Sequence, residues 1–276
     1  MRVAWLTDLH LEFVAPPGID ALAERVRDAR VDAALVGGDT AHAADVVEHL
    51  ERLGLLLRIP IFFVLGNHDY YGGSIAGVRA KIADLVSRTP NLTWLTAVGA
   101  VPLTPETVLI GDDGWGDGGF GDALATPVVL NDFLLIDELR LADPVELVEQ
   151  QPETRERLLA VLRQLGEESA AHLHAALTQA LQSHRNVVAL MHVPPFREAA
   201  WHDGRVSDDR WLPFFACRAA GIVLRDIMAA HPTCHLTVLC GHTHGAGRCR
   251  VLPNLEVITG GAEYGRPAIQ EVIEIV

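Results

Sequence analysis

Acidic, amide and imidazole side chains recur in short motifs along the chain, and each motif directly follows a short apolar run. Manganese, iron and zinc accept such ligands, and the absence of cysteine from the motifs excludes thiolate or iron–sulfur ligation. Seven candidate ligands are too many for one tetrahedral zinc, but they suit two ions that share a carboxylate, and Asp39 is the natural bridge. Each motif alone is a weak signal, whereas the ordered set predicts one metal cluster. The motifs are Asp8-Leu9-His10, Gly38-Asp39, Gly66-Asn67-His68-Asp69, His192 and Gly241-His242-Thr243-His244.

The elements that must position these motifs are strands of an α/β fold, because short apolar runs alternate with helical patterns. Ligands of an open α/β sheet bind in the crevice at the carboxyl ends of its strands, so five strand ends could converge there. We expect the glycines before Asp39, Asn67 and His242 to allow tight turns and to leave room for ions. The strands are predicted over 3–7, 33–37, 61–65, 187–191, 235–240, 255–259 and 269–276, and the helices near 19–29, 43–53, 75–87 and 154–183.

The middle of the chain has a different pattern, with a Gly/Asp-rich run over 111–121 followed by strongly helical sequence. A helix start is predicted at 143–146, and we interpret the region near 137–184 as a helical insertion in a single domain spanning 1–276. The aspartates of the run lack the spacing of a calcium loop and are expected in a solvated turn. His172 and His174 are expected to face solvent. The aspartates are Asp112, Asp113, Asp117 and Asp122.

Composition restricts the partners of the protein. The formal net charge of −14 makes binding to long nucleic acid unlikely. No apolar stretch approaches the roughly 20 residues needed to cross a bilayer, and the N-terminal apolar run is too short for a secretory signal, so a cytoplasmic protein is expected. The four cysteines have neither disulfide nor zinc-site spacing and are expected to be reduced, mostly buried thiols. The oligomeric state stays open.

The ordered motif set, from Asp8 to His244, resembles the signature of calcineurin-like metallophosphoesterases. This resemblance implies an α/β fold in which a two-layer β sandwich is flanked by helices, and it implies a dinuclear metal centre. It also implies that His68 is the catalytic histidine that binds no metal, with Asp69 at the position of its acidic partner. One metal would take Asp8, His10, Asp39 and His244, and the other would take Asp39, Asn67, His192 and His242.

A metal-dependent phosphoesterase with these residues would use two divalent or trivalent ions of manganese, iron or zinc. The expected nucleophile is a hydroxide that bridges the metals, and His68, oriented by Asp69, is the expected general acid. Protein Ser/Thr phosphatases of the superfamily have arginines near these motifs that grip phosphate. Here Thr40-Ala41-His42 follows Asp39 and Leu65 precedes Gly66, which disfavours that branch.

The expected substrate is a small phosphoester, more specifically a phosphodiester or a nucleotide-like molecule. Aromatic side chains at the pocket mouth could stack on a nucleobase. Two alternatives stay open: a phosphomonoesterase of the same fold, and a catalytically silent metal-binding interaction protein. A metallo-β-lactamase-like hydrolase is disfavoured because its H-x-H-x-D-H string is absent. The candidate substrate contacts are Tyr70, Trp115, Arg197 and His202.

Overall fold

The computed structural model describes residues 1–140 and 152–276, so the helix start predicted at 143–146 lies outside the described residues. The strands are β1 (Arg2–Leu6), β2 (Ala33–Gly37), β3 (Ile61–Val64), β4 (Leu92–Trp94), β5 (Val101–Pro102), β6 (Thr107–Asp112), β7 (Asn186–Met191), β8 (Trp201–His202), β9 (Arg205–Val206), β10 (His235–Cys240), β11 (Gly247–Leu252), β12 (Leu255–Thr259) and β13 (Glu271–Glu274). The helices are α1 (Pro16–Asp28), α2 (Val46–Leu57), α3 (Ile75–Arg88), α4 (Asp132–Leu135), α5 (Pro152–Ala180), α6 (Leu212–Phe215) and α7 (Arg218–Ala230).

Two mixed sheets form the centre of the fold, as the predicted sandwich requires. The first has the strand order β13-β1-β2-β3-β4, in which β1 to β4 are parallel and β13 is antiparallel. The second has the order β11-β12-β10-β7-β6-β5, with antiparallel strands at its two edges. Strands β8 and β9 form a separate hairpin. The prediction of an α/β sandwich flanked by helices is confirmed.

The central strands are buried on both faces, which explains why they read as continuous apolar runs. In β1, Val3 and Trp5 belong to a core shared with residues of the second sheet. Ala4 and Leu6 alternate with them and pack with helices α1 and α2. The change to polar residues at Thr7 therefore marks the place where the chain leaves the sandwich and reaches its edge.

Helix α5 covers the second sheet and confirms the long helical pattern predicted over 154–183. Its C-terminal half places Leu173 and Leu177 in the core beneath β6 and β7. Its N-terminal half contributes Leu158, Leu159 and Leu162 to the core of the first sheet. The helix thus touches both halves of the sandwich.

Of the four aspartates expected in a solvated turn, Asp112, Asp113 and Asp117 are buried, which corrects the prediction for them. Asp122 is exposed in a turn, as predicted, and accepts the backbone N–H groups of Leu124 and Ala125. Asp112 ends the buried strand β6 and Asp113 follows it directly, and the two residues are 4% and 1% exposed. His172 of α5 is also not a plain solvent residue, since its Nδ1 lies 2.8 Å from Asp112 Oδ2. All four cysteines are unpaired, as predicted. In the described part of the chain, no helix combines the length and the apolar character that crossing a bilayer demands.

Candidate metal centre

The predicted motifs converge from both sheets onto one edge of the sandwich. The ends of β1, β2 and β3 supply Asp8, His10, Asp39 and Asn67, and the ends of β7 and β10 supply the remaining histidines. Eight described non-glycine residues have positive φ, and five of these are candidate ligands. Left-handed backbone is uncommon outside glycine and concentrates at functional sites, so its presence at these strand ends is consistent with a functional site. The five are Asp8, His10, Asp39, His242 and His244.

One group of donor atoms lies between β1 and β10. The Nε2 atoms of His10 and His244 are 3.1 Å apart. Asp39 Oδ2 lies 3.8 Å from His10 Nε2, and Asp8 Oδ1 lies 3.5 Å from His244 Nε2. One ligand atom from each of these four residues lies within 4.8 Å of all the others, close enough to hold a single ion. This is the set that the resemblance assigns to one metal.

A second group of donor atoms surrounds Asn67. Its Oδ1 lies 3.0 Å from His192 Nε2 and 2.9 Å from His242 Nδ1. His192 Nε2 is in turn 3.3 Å from Asp39 Oδ1. These four residues are the set that the resemblance assigns to the other metal, and the structure brings their donor atoms together.

The hydrogen bonds around the second group leave its donor atoms as lone pairs. His192 Nδ1 donates to the Gly37 carbonyl at 2.9 Å and His242 Nε2 donates to the Phe214 carbonyl at 3.0 Å, so the other nitrogen of each neutral ring is an acceptor. Asn67 Nδ2 faces the Asp132 carboxylate, which fixes Oδ1 toward the histidines. Three acceptors thus point at one another without a proton between them. A cation satisfies all three, and the residues fit a metal.

Electrostatics favour the same conclusion for the carboxylates. Burial raises the pKa of Asp39 well above its usual range, and the charges of Asp8 and Asp69 raise it further. Burial also acts to raise the pKa of Asp8, but nearby His192 and His244 outweigh it, and the pKa of Asp8 is lowered. Two carboxylates this deeply buried need positive charge, which a metal ion supplies.

Three of the candidate ligand histidines are held in their metal-binding form. Burial lowers the pKa of His192 and of His244, and burial together with His192 lowers the pKa of His242 to about 3. Neutral imidazole is the form that coordinates metals. These three imidazoles are therefore prepared to bind a cation without first losing a proton.

Glycines before the ligands make room for other ligands rather than for ions. A Cβ at Gly66 would overlap the Asp39 carboxylate and would lie 2.6 Å from His192 Cε1. A Cβ at Gly241 would overlap the Asp8 carboxylate. Only Gly38 also needs its positive φ, of +88°. The expectation of a tight turn holds at Gly38. The room beside the glycines is occupied by the side chains of candidate ligands.

His68 lines the cavity over the cluster, but Asp69 does not orient its ring. The Asp69 carboxylate accepts backbone N–H groups of Thr40, Ala41 and Gly66 at 2.7–3.0 Å and so joins two ligand loops. The His68 ring instead stacks on Tyr71, with ring centroids 4.2 Å apart. Burial and nearby imidazoles, first that of His10, lower the pKa of His68 to about 2.

The four predicted substrate contacts are placed differently. His202 lines the cavity, which has a volume of about 270 Å³. Tyr70 is fully buried beneath the cavity and donates to Asp113, and Trp115 packs against it in the core. Arg197 pairs with Asp209 and lines a separate surface depression. Of these residues, His202 alone faces the metal cluster.

Several residues at the site carry no motif that sequence reasoning could detect. The side chain of Glu12 is 7% exposed, with Oε1 3.1 Å from His42 Nε2 and 3.7 Å from His10 Nδ1. Asp113 Oδ1 accepts from the Leu65 N–H at 2.8 Å and holds the loop before Asn67. Tyr264 packs its ring 4.5 Å from that of His10. The sequence signal that could have identified Glu12 as part of the site is its position two residues after His10.

Two mixed sheets between helices, with a buried Asp, Asn and His cluster at the strand ends, define a metal-binding α/β enzyme. The chain belongs to the calcineurin-like phosphoesterase family, whose model matches residues 1–246. The sequence-based recognition of this family is confirmed.

Solved structures support the fold. The chain is similar to a phosphopantetheinyl hydrolase from Mycobacterium tuberculosis, at 15% identity and a TM-score of 0.65 over 96% of this chain and 90% of that one. It is also similar to a dimetal phosphatase from Danio rerio, at 14% identity and a TM-score of 0.56 over 95% of this chain and 87% of that one. A search of the curated proteins gave no match.

Proposed function

We propose that the protein is a dinuclear metal-dependent hydrolase of small phosphodiesters. The Asp39 carboxylate carries this proposal, because its two oxygens face two different groups of donor atoms: Oδ2 faces His10 and Oδ1 faces His192. A carboxylate in this position is the bridge that two-metal hydrolases need. Imidazole, carboxylate and amide oxygen suit manganese, iron or zinc.

Each ion has four protein ligands in this proposal. When bound, the ions supply positive charge for the phosphoryl oxygens and lower the pKa of water toward about 7. The protein contributes the neutral imidazoles, the fixed Asn67 oxygen and the shared carboxylate. Asp8, His10, Asp39 and His244 hold one ion, and Asp39, Asn67, His192 and His242 hold the other.

The cavity favours a diester over a monoester. None of the described residues that line it is Lys or Arg, and Asp132 adds a carboxylate to its wall. A phosphomonoester is close to dianionic at neutral pH, with a second pKa of about 6, whereas a diester carries one negative charge. A cavity without fixed cations tolerates the single charge better. The chain's overall charge of −14 acts in the same direction.

The position of His68 supports a role for this residue at the leaving group. It lines the cavity and, as its Nδ1 has no hydrogen-bond partner in the described chain, its ring is not committed to the protein. Its pKa of about 2 keeps the ring neutral in the free protein. The negative charge of a bound phosphoester favours the protonated ring and so counteracts the effect of the neighbouring imidazoles. We therefore assign His68 the transfer of a proton to the departing oxygen.

We also propose that the protein is located in the cytoplasm. The four unpaired cysteines are compatible with a reducing compartment. Fractionation of cells that produce the tagged chain tests it.

The function is tested with protein stripped of metal by a chelator and reloaded with manganese, iron or zinc. Bis-p-nitrophenyl phosphate and p-nitrophenyl phosphate are assayed in parallel, with Asp39→Asn as the matched variant, and bound metal is counted for each preparation. We expect metal-dependent hydrolysis with a higher kcat/KM for the diester. Asp39→Asn should lose at least about 100-fold in kcat, because the shared charge is removed.

Two outcomes contradict the proposal in different ways. A higher kcat/KM for the monoester would make the protein a phosphomonoesterase. Hydrolysis of neither ester by fully metal-loaded protein would make it a silent metal-binding interaction protein.

A further inference from the structure

Exposed aromatic side chains gather around the metal cluster. The chain has 16 Phe, Trp and Tyr residues, and the described structure exposes three of them strongly: Phe13 at 54%, Tyr264 at 51% and Trp211 at 39%. All three connect through ring contacts to histidines of the candidate metal centre or its cavity. Large exposed apolar rings are unfavourable in water and mark binding surfaces when they cluster. We call these three residues the aromatic rim.

Two of the rim residues form a wall beside one half of the cluster. Tyr264 packs 4.5 Å from His10 and 5.1 Å from His244, measured between ring centroids. Phe13 meets Tyr264 edge-on at 5.3 Å and lies 5.9 Å from His42. We call Phe13 and Tyr264 the Tyr264 wall.

A second wall stands beside the other half. Phe215 lies 5.4 Å from His242, and Trp211 packs 5.1 Å from Phe215 with the ring planes inclined by 31°. His202 closes this side, 5.8 Å from Phe215. We call Trp211, Phe215 and His202 the Trp211 wall.

The position of His68 distinguishes the two walls. Its ring centroid is 4.6 Å from that of His10 and 6.3 Å from that of Tyr264, so it belongs to the side of the Tyr264 wall. A group that gives a proton to the leaving oxygen must lie where that oxygen departs. The leaving group therefore exits along the Tyr264 wall, and the ester arm that stays on phosphorus lies toward the Trp211 wall.

The geometry points to a phosphodiester whose retained arm carries a planar ring, such as a nucleoside, stacked on the Trp211 wall. This inference rests on the proposed function and deepens it. The cavity of about 270 Å³ is smaller than most sites that enclose a whole ligand, so a ring on the ester arm must lie on the rim. Any planar ring can stack on an aromatic side chain without specific hydrogen bonds to its edges. Stacking therefore adds affinity for an ester arm that carries a ring, but not for a methyl group.

Two diesters with the same leaving group test this. They are the p-nitrophenyl ester of thymidine monophosphate and methyl p-nitrophenyl phosphate, assayed with metal-loaded protein. We expect kcat/KM to be about 5- to 100-fold higher for the thymidine ester, and Trp211→Ala to abolish most of that ratio through KM. Trp211→Phe should keep most of it. Phe13→Ala, on the other wall, and Leu55→Ala, an exposed apolar residue of α2, should leave the ratio unchanged.

The outcomes separate this inference from the function beneath it. Hydrolysis of neither ester would overturn the proposed function. Hydrolysis of both with equal kcat/KM, or an unchanged ratio in folded, metal-loaded Trp211→Ala, would overturn the stacking inference and leave the hydrolase in place. A ratio that falls in Phe13→Ala instead would reverse the assignment of the two ester arms.

Discussion

Asn67 donates its side-chain N–H to the carboxylate of Asp132, across a distance of 2.9 Å. Asp132 lies in α4, 65 residues further along the chain, and binds no metal in our proposal. An ionised carboxylate can accept hydrogen bonds but cannot donate them, so the amide nitrogen of Asn67 must face Asp132. The amide oxygen of Asn67 then faces His192 and His242. The orientation of one metal ligand thus depends on a residue far away in sequence.

Asp132→Ala should weaken the binding of one metal ion and spare the other. Substitution of a residue that orients a metal ligand through a hydrogen bond typically lowers metal affinity about 10- to 100-fold. Competition with a chelating indicator would measure both affinities. Tyr71→Phe is the graded comparison, because it removes a hydroxyl that donates to Asp132 and accepts from Asn67 but leaves the Asn67–Asp132 bond, so it should weaken the binding of the same ion less. Wild-type affinity for both ions in Asp132→Ala would show that the amide orients itself.

Gly66→Ala should abolish metal loading, because the new Cβ would collide with the Asp39 carboxylate. Gly72→Ala is a useful comparison. That glycine has φ +80° but no atom within 4 Å of its added Cβ, so the substitution costs backbone strain of about 1 kcal/mol and nothing at the site. Bound metal and the free energy of unfolding would be measured for both. Full metal loading of Gly66→Ala would disprove the close packing of the two ligand loops.

The strand ends were predictable because their signal is local. A short apolar run followed by a polar motif specifies both the strand and the point where it leaves the core, and β2, β10 and β12 have the predicted bounds. Strand β6 was not predicted, since its buried Asp112 belongs to a run whose glycines and acids are typical of turns. Burial of that run depends on partners such as Ser169 and His172, which the sequence places some 60 residues away.

The candidate ligands were predictable for a similar reason, whereas the residues that hold them in place were not. Asp8, Asp39 and His242 sit in motifs whose order along the chain can be recognised. Asp132 and Tyr264 are single residues in segments without a pattern, and only the folded chain shows what they touch. The predicted role of Asp69 failed on geometry, because adjacency to His68 in sequence does not place the carboxylate beside the ring.

The pair formed by His172 and Asp112 should make stability depend on pH. The hydrogen bond to Asp112 raises the pKa of His172 above its ordinary value of about 6.5, against the opposing effect of burial. A raised pKa in the folded state gives stability that is fully present below about pH 6.5 and is lost as the pH rises through the folded value.

His172→Ala should therefore lower the free energy of unfolding by about 1–2 kcal/mol at pH 5.5, and by less at pH 9. Urea denaturation of metal-free protein at the two pH values would measure this. His174→Ala, on the exposed side of α5, is the control and should show no such pH dependence. An equal loss at both pH values would mean that the imidazolium does not contribute.

His68→Ala should keep its bound metal and lose turnover in a way that depends on the leaving group. An alkoxide needs a proton to depart, whereas p-nitrophenolate does not, so kcat should fall about 10²- to 10⁴-fold for dithymidine monophosphate and far less for bis-p-nitrophenyl phosphate. Asp69→Asn tests the rejected role of Asp69 in orienting the His68 ring. Since Asp69 holds backbone and not the His68 ring, its loss should affect stability and reduce both activities alike. If Asp69→Asn lowers kcat more for dithymidine monophosphate than for bis-p-nitrophenyl phosphate, Asp69 is the partner of His68 after all. If His68→Ala lowers kcat equally for the two esters, His68 is not the proton donor.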